Sequence, residues 1–274
     1  MLSTFHAERS HIAHQLIDFD ANFAKHFGPQ ADMSSPAFFD TWKNAQGFTS
    51  GCGQQYLPST LVVPDNDPPS FIDRAALEPL TPGKRLLPMT LTRHLDGWPV
   101  SSLDDMPANG QFYEVLFAGD ISAEPRAGAL RDAYARLTSS RSALSRYNRH
   151  MPTTDLSNNN INNDSAEDRD RGVGAWDFED IHTSSPRNEG KIIDLFVVHT
   201  ADHLRIDLRP EFETWKYRFY EDKDGVEHAR HGVDAAADGQ MVVALVRPDG
   251  IVGMVCTADE MLDRVPAYFE GFVK

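Results

Sequence analysis

The chain has 274 residues, 41% hydrophobic and 24% charged, an ordinary globular composition at a length suited to one large domain or two small ones. Against 26 Lys and Arg stand 41 Asp and Glu, and the net charge of −15 repels phosphate backbones and anionic lipid, so neither nucleic acid nor a membrane surface is expected as a partner. The two cysteines, Cys52 and Cys256, lie far apart, which excludes a disulfide framework, a cysteine-rich zinc site and a CxxC redox pair.

The N-terminus has no basic start followed by an apolar run, and so does not read as a secretory leader. The longest aliphatic run, Met241 to Val246, is far short of the about 20 residues that a membrane helix needs. A soluble, cytoplasmic protein is expected.

Ile12, Leu16, Phe19, Phe23 and Phe27 recur at spacings of four, three, four and four, one face of an amphipathic helix that Gly28-Pro29 would end. A second helix is predicted from Ser35 to Ala45, capped by Ser34 or Ser35, with Phe38, Phe39 and Trp42 on its apolar side. Residues 47–90 carry seven prolines and read as a strap over a core. Leu91–His94 and Pro99–Ser102 flank Asp96-Gly97 as a hairpin. Phe112–Ala118 and Lys191–Thr200 read as strands buried on both faces, with a helix predicted over 126–149 between them, giving a βαβ unit. Residues 152–174, rich in Asn and then in acids and arginines, read as a disordered surface insertion.

Trp215–Tyr220 alternates as a strand, followed by a turn at Asp224-Gly225. Met241–Arg247 and Ile251–Cys256 pair across Pro248-Asp249-Gly250. A last helix is predicted from about Thr257, with Met261, Leu262, Val265, Tyr268 and Phe269 inward. The order predicts an α/β fold: a thioredoxin-like mixed sheet with flanking helices, preceded by an N-terminal helical segment and a loop-rich strap. The expected division is 1–46 for the helical segment and 47–274 for the strap and the sheet domain.

Several motifs in shared order resemble one family. Glu8 to Asp20 resembles the closing helix of the substrate domain of flavin-dependent phenol 2-monooxygenases, and Thr49 to Tyr56 the crossing segment that follows. Pro82–Leu86, Asp96–Val100 and Val115–Asp120 resemble the start of that family's C-terminal domain, and Val246–Gly250 its last hairpin. The resemblance implies a thioredoxin-like domain without redox chemistry that contributes to dimerisation. It places flavin binding in a separate N-terminal domain with a GxGxxG turn, and no GxGxxG occurs here. No cofactor is therefore expected. Ala118-Gly119-Asp120 reads as a strand-end turn rather than a flavin-contacting motif.

The loop after the first core strand, Gly119 to Glu124, has no thiol, and Cys256 reads as buried and inert. His199 and His203 are four apart and His228 and His231 three apart, but a strand end does not give helical ligand geometry, so no metal site is expected. No GxSxG elbow is present. The leading expectation is a dimerisation or partner-binding module, a homodimer or a companion to a separate flavin monooxygenase, with Ile12, Leu16, Phe19, Phe23 and Phe27 as interface. The alternative is a cofactor-independent isomerase, cyclase or dehydratase for an aromatic or polyketide-like small molecule. Its acid–base groups would come from His94, His199, His203, His228 and His231.

Overall fold

The computed structural model describes residues 2–25, 36–64, 72–148, 191–208, 212, 218–233 and 240–273. The Asn-rich stretch 152–174, Phe27, Gly28-Pro29, the Ser34 and Ser35 cap, Trp215 and Tyr217 lie outside these residues.

Seven strands form one sheet: β1 (Thr90–Arg93), β2 (Pro99–Ser101), β3 (Phe112–Gly119), β4 (Ile193–His199), β5 (Phe219–Glu221), β6 (Val242–Val246) and β7 (Val252–Thr257). Their spatial order is β2-β1-β5-β4-β3-β6-β7. The near-continuous apolar run of β3 is explained by its place: β4 pairs with it in parallel on one side and β6 antiparallel on the other. A short helix, α3 (Ser102–Asp105), follows β2, and the crossover between β3 and β4 carries α4 (Arg126–Thr138) and α5 (Ala143–Asn148). The β6–β7 hairpin is followed by α7 (Met261–Glu270). A βαβ unit followed by ββα, in the order β4-β3-β6-β7, is the thioredoxin-like arrangement that the sequence predicts.

The sheet is covered on both faces. Leu116, Leu195, Val243 and Leu245 meet Leu130, Leu137, Val265 and Phe269 of α4 and α7. On the other face Val115, Phe117, Phe196 and Val255 meet Ile72, Leu80, Leu86 and Met89 of the strap. The strap is held by backbone bonds along the edge strand: Val63 N–H donates to Gly253 O, Gly83 N–H to Val252 O, and Val252 N–H to Lys84 O. Gly83 stands at φ +88°, where a Cβ would lie 2.3 Å from Tyr56 O, so only glycine lets the two strap segments approach this closely.

Two predicted elements are corrected. The helix expected over 126–149 is two helices, because Ser139 turns extended and the buried Ser142 hydroxyl donates to Leu137 O and Ser139 O, replacing helical bonds. The last helix begins at Met261 rather than Thr257: the Thr257 hydroxyl and backbone bond the Glu260 carboxylate, making a separate turn first. Of the strand predicted over 215–220, residues 219 and 220 lie in β5, and 215–217 lie outside the described residues. Asp224 and Gly225 both adopt left-handed φ in the turn that the sequence predicts there, which leads into a helix, α6 (Val226–Arg230).

Glu114 sits at the centre of β3, opposite Leu195 on one side and Leu245 on the other. Burial alone pushes its carboxyl up to about 8. A carboxyl raised in the folded state loses stability to the unfolded chain from about pH 4.5 up to about pH 8. The Glu114→Gln variant lacks that penalty. Urea midpoints from pH 5 to 9 should favour the variant increasingly with pH, by about 5 kcal/mol at the top of the range.

Candidate functional site

The end of β4 gathers three of the five predicted histidines. His199 is fully buried as the last residue of β4, and His94 follows β1. His94 Nε2 lies 2.9 Å from Ile206 O and so carries a proton, while His94 Nδ1 lies 2.9 Å from His199 Nε2. In neutral rings His199 therefore donates through Nε2, and its Nδ1 is buried without a partner. The third ring, His203, lies 6.4 Å from His94 between centroids and bonds the Glu221 carboxylate at the end of β5. Burial, joined by the neighbouring His94 and His228 rings, holds His199 well below the usual histidine range, and burial also lowers His94. Asp202, His203 and Glu221 each place one ligand atom within 4.8 Å of the others, a spacing that a cation can bridge. These oxygens already have partners: Asp202 accepts from Leu204 N–H and Arg205, and Glu221 accepts from the ring and backbone of His203.

His228 belongs to a different construction. Asp222 accepts from Glu227 N–H, His228 N–H and His228 Nδ1, and His228 Nε2 accepts from Gly119 N–H. Burial opposes ionisation of Asp222, but these three donors outweigh it and hold the carboxyl low. Both ring nitrogens are occupied, so His228 braces α6 to the end of β3 and has no lone pair to offer a substrate. The same end holds Ala118-Gly119-Asp120: Arg126 donates to Ala118 O, and the Asp120 carboxylate caps Ser122 N–H. It is the strand-end turn that the sequence predicts.

His231 lies apart from the other four, in a cleft of about 280 Å³ under the strap. Leu77, Leu80, Leu86 and Val252 form apolar walls, and Cys52 lies on the lining. His231 Nδ1 donates to Glu227 O at 2.7 Å, whereas Nε2 is buried and unpartnered. Cys256 is fully buried in the helix-side core. The five histidines thus do not converge on one pocket. Glu221 and Asp222 were missed as histidine partners because they are adjacent in sequence yet face different rings, which no spacing signals.

The N-terminal helices form a second candidate surface. α1 (Leu2–Lys25) is pinned by Glu8, whose carboxylate takes both Arg247 nitrogens at 2.7 and 3.1 Å, with the guanidinium 5.5 Å over the Tyr56 ring. Ile12 packs on Tyr56, Val62 and Ile251. Phe19 stacks on Phe48 at 5.2 Å and Phe23 lies 6.1 Å from Trp42, both partners belonging to α2 (Pro36–Thr49). Leu16 is left 46% exposed and Ile17 65% exposed, and Phe5 on the same helix and Phe39 and Trp42 on α2 are exposed as well. Among the described residues no helix is long and apolar enough to cross a membrane.

Comparison with known proteins gives a match of residues 54–274 to the model of the phenol hydroxylase C-terminal dimerisation domain. The chain is 27% identical over 286 aligned residues to phenol 2-monooxygenase fsqG of Aspergillus fumigatus, covering 99% of this chain and 40% of that protein. It is 30% identical over 137 residues to 3-hydroxybenzoate 4-monooxygenase of Comamonas testosteroni, covering 47% of this chain and 20% of that one. The chain therefore spans less than half the length of these relatives. Among solved structures, aklavinone-11 hydroxylase in complex with FAD and aklavinone aligns at a TM-score of 0.45 and 17% identity, over 98% of this chain and 34% of that one. A peroxiredoxin-like protein from Aquifex aeolicus aligns at 0.36 and 12%, over 70% of this chain and 86% of that one.

The depressed His199 has a measurable consequence. Below its ordinary value of 6.5 the unfolded chain takes up a proton that the folded chain refuses, so stability falls as pH drops through this range. Denaturant unfolding at pH 7, 6 and 5 should show a shallower loss for His199→Gln than for the parent. Parallel slopes would mean that His199 does not stay neutral in the fold.

Proposed function

Because the chain belongs to the phenol hydroxylase C-terminal dimerisation domain family, we propose that it is a pairing module whose partner is a second copy of itself. The observation that carries this reading is the family match across residues 54–274, taken with an apolar surface on α1 and α2 that the body of the protein does not cover. Large exposed apolar patches mark interfaces, and a two-fold contact is their commonest use.

Charge supports the same surface. Of the chain's net −15, the two helices carry only four acids (Glu8, Asp18, Asp20, Asp40) against three bases (Arg9, Lys25, Lys43). Two such faces meet with little mutual repulsion, while the acidic remainder stays in water. Covering Leu16, Ile17, Phe39 and Trp42 contributes on the order of 1–2 kcal/mol for each side chain. The reading assigns no FAD binding and no hydroxylase chemistry to these 274 residues, which carry no GxGxxG turn.

Light scattering should give twice 30.6 kDa for the parent. The double variant Leu16→Asp, Ile17→Asp should give the monomer mass with an unchanged circular dichroism spectrum. The parent, incubated with FAD and desalted, should emerge colourless. A monomeric parent, or a dimer indifferent to both substitutions, refutes pairing through this face. Co-migration of a monomeric parent with a separate flavin monooxygenase would transfer the face to that partner.

A further inference from the structure

The cleft beneath the strap has a specific chemistry of its own. His231 Nδ1 donates to Glu227 O, so in the neutral ring the proton sits on Nδ1 and Nε2 keeps its lone pair. That nitrogen is buried with no donor in reach, and His231 itself is only 1% exposed. A buried acceptor left unpaired is costly, and His231 is among the residues that border the cleft. The walls are apolar through Leu77, Leu80, Leu86 and Val252.

Of three charged groups on the lining, Glu78, Lys84 and Arg85, two are already engaged: Glu78 pairs with Arg230 at 2.6 Å and Arg85 donates to Asp249 O at 2.9 Å. A volume of about 280 Å³ lies at the small end of ligand sites. We propose that this cleft binds an uncharged, largely apolar molecule of one or two rings whose hydroxyl donates to His231 Nε2. The pairing reading and this one stand independently, since the oligomeric state decides the first and leaves the second untouched.

Burial holds the His231 ring below the ordinary histidine range, which keeps Nε2 an acceptor at neutral pH. Cys52, half-exposed on the same lining, supplies an internal reporter, because the other cysteine, Cys256, is fully buried. An occupant of the cleft shields the Cys52 thiol from an alkylating reagent.

The test uses 2-naphthol, naphthalene and 2-naphthoate as probes of the full chain by calorimetry, with the rate of Cys52 alkylation by iodoacetamide as a second readout. The expected result is saturable binding of 2-naphthol, at least tenfold tighter than naphthalene and no weaker than 2-naphthoate. Saturating 2-naphthol should slow Cys52 alkylation several-fold. In His231→Leu the tenfold preference for the hydroxyl should vanish while naphthalene affinity stays within twofold. Absence of saturable binding, equal affinity for naphthol and naphthalene, tighter binding of the naphthoate anion to Lys84 on the lining, or an unchanged alkylation rate would each overturn the proposal. If His231→Leu fails to fold, the probe comparison and the alkylation rate on the parent decide the matter alone.

Discussion

A sheet whose central strands are apolar on both faces cannot leave either face in water. This constraint organises the molecule. β3, β4, β6 and β7 are buried along nearly their whole length, so two separate covers are required. The chain supplies helices for one face and, for the other, a proline-rich strap. Within the strap the described residues form isolated bridges, Gln55 to Lys84 and Ser59 to Val62, in place of a continuous hydrogen-bond ladder. The strap borrows one from the exposed edge of β7, which at the same time removes a pairing edge that would invite aggregation.

An irregular cover packs less completely than a helix. The cleft under the strap follows from this, as does the presence there of a polar ring that a helical layer would have excluded. The ends of the central strands show the opposite treatment. There several polar groups pair with one another: Asp222 and His228 lock α6 to Gly119, and Arg218 meets Asp194 at 2.5 Å. Such pairs are costly to bury, and their stability rests on hydrogen bonds filling the remaining lone pairs. The lone carboxyl of Glu114, on the helix side of β3, has no such support and stays protonated instead.

The first helix joins these layers to the outside. Its N-terminal half is fixed to the last hairpin by the Glu8–Arg247 pair, and its C-terminal half makes an aromatic contact with α2. Its apolar stripe is thus divided. Ile12, Phe19 and Phe23 are spent inside the chain, while Leu16 remains on the surface, and Ile17, off the stripe, is exposed beside it. The candidate interface residues of the sequence therefore split between internal packing and an available surface.

The sequence by itself determined the sheet. Period-free apolar runs, Asp-Gly turns and the placement of prolines settle β3, β4, the two hairpins and the strap, because these depend on neighbours a few residues away. The family resemblance rested on the same local motifs. Hydroxyl chemistry decided the break at Ser139 and the late start of α7, through Ser142 and Thr257, and it was visible in the sequence only as composition, since which oxygen a hydroxyl reaches depends on packing. The polar pairings were decided by tertiary structure alone. His94 and His199 are 105 residues apart, and Glu8 and Arg247 are 239 apart. No periodicity links such positions, because side-chain contact across that distance is fixed by how the layers stack and not by how the chain turns.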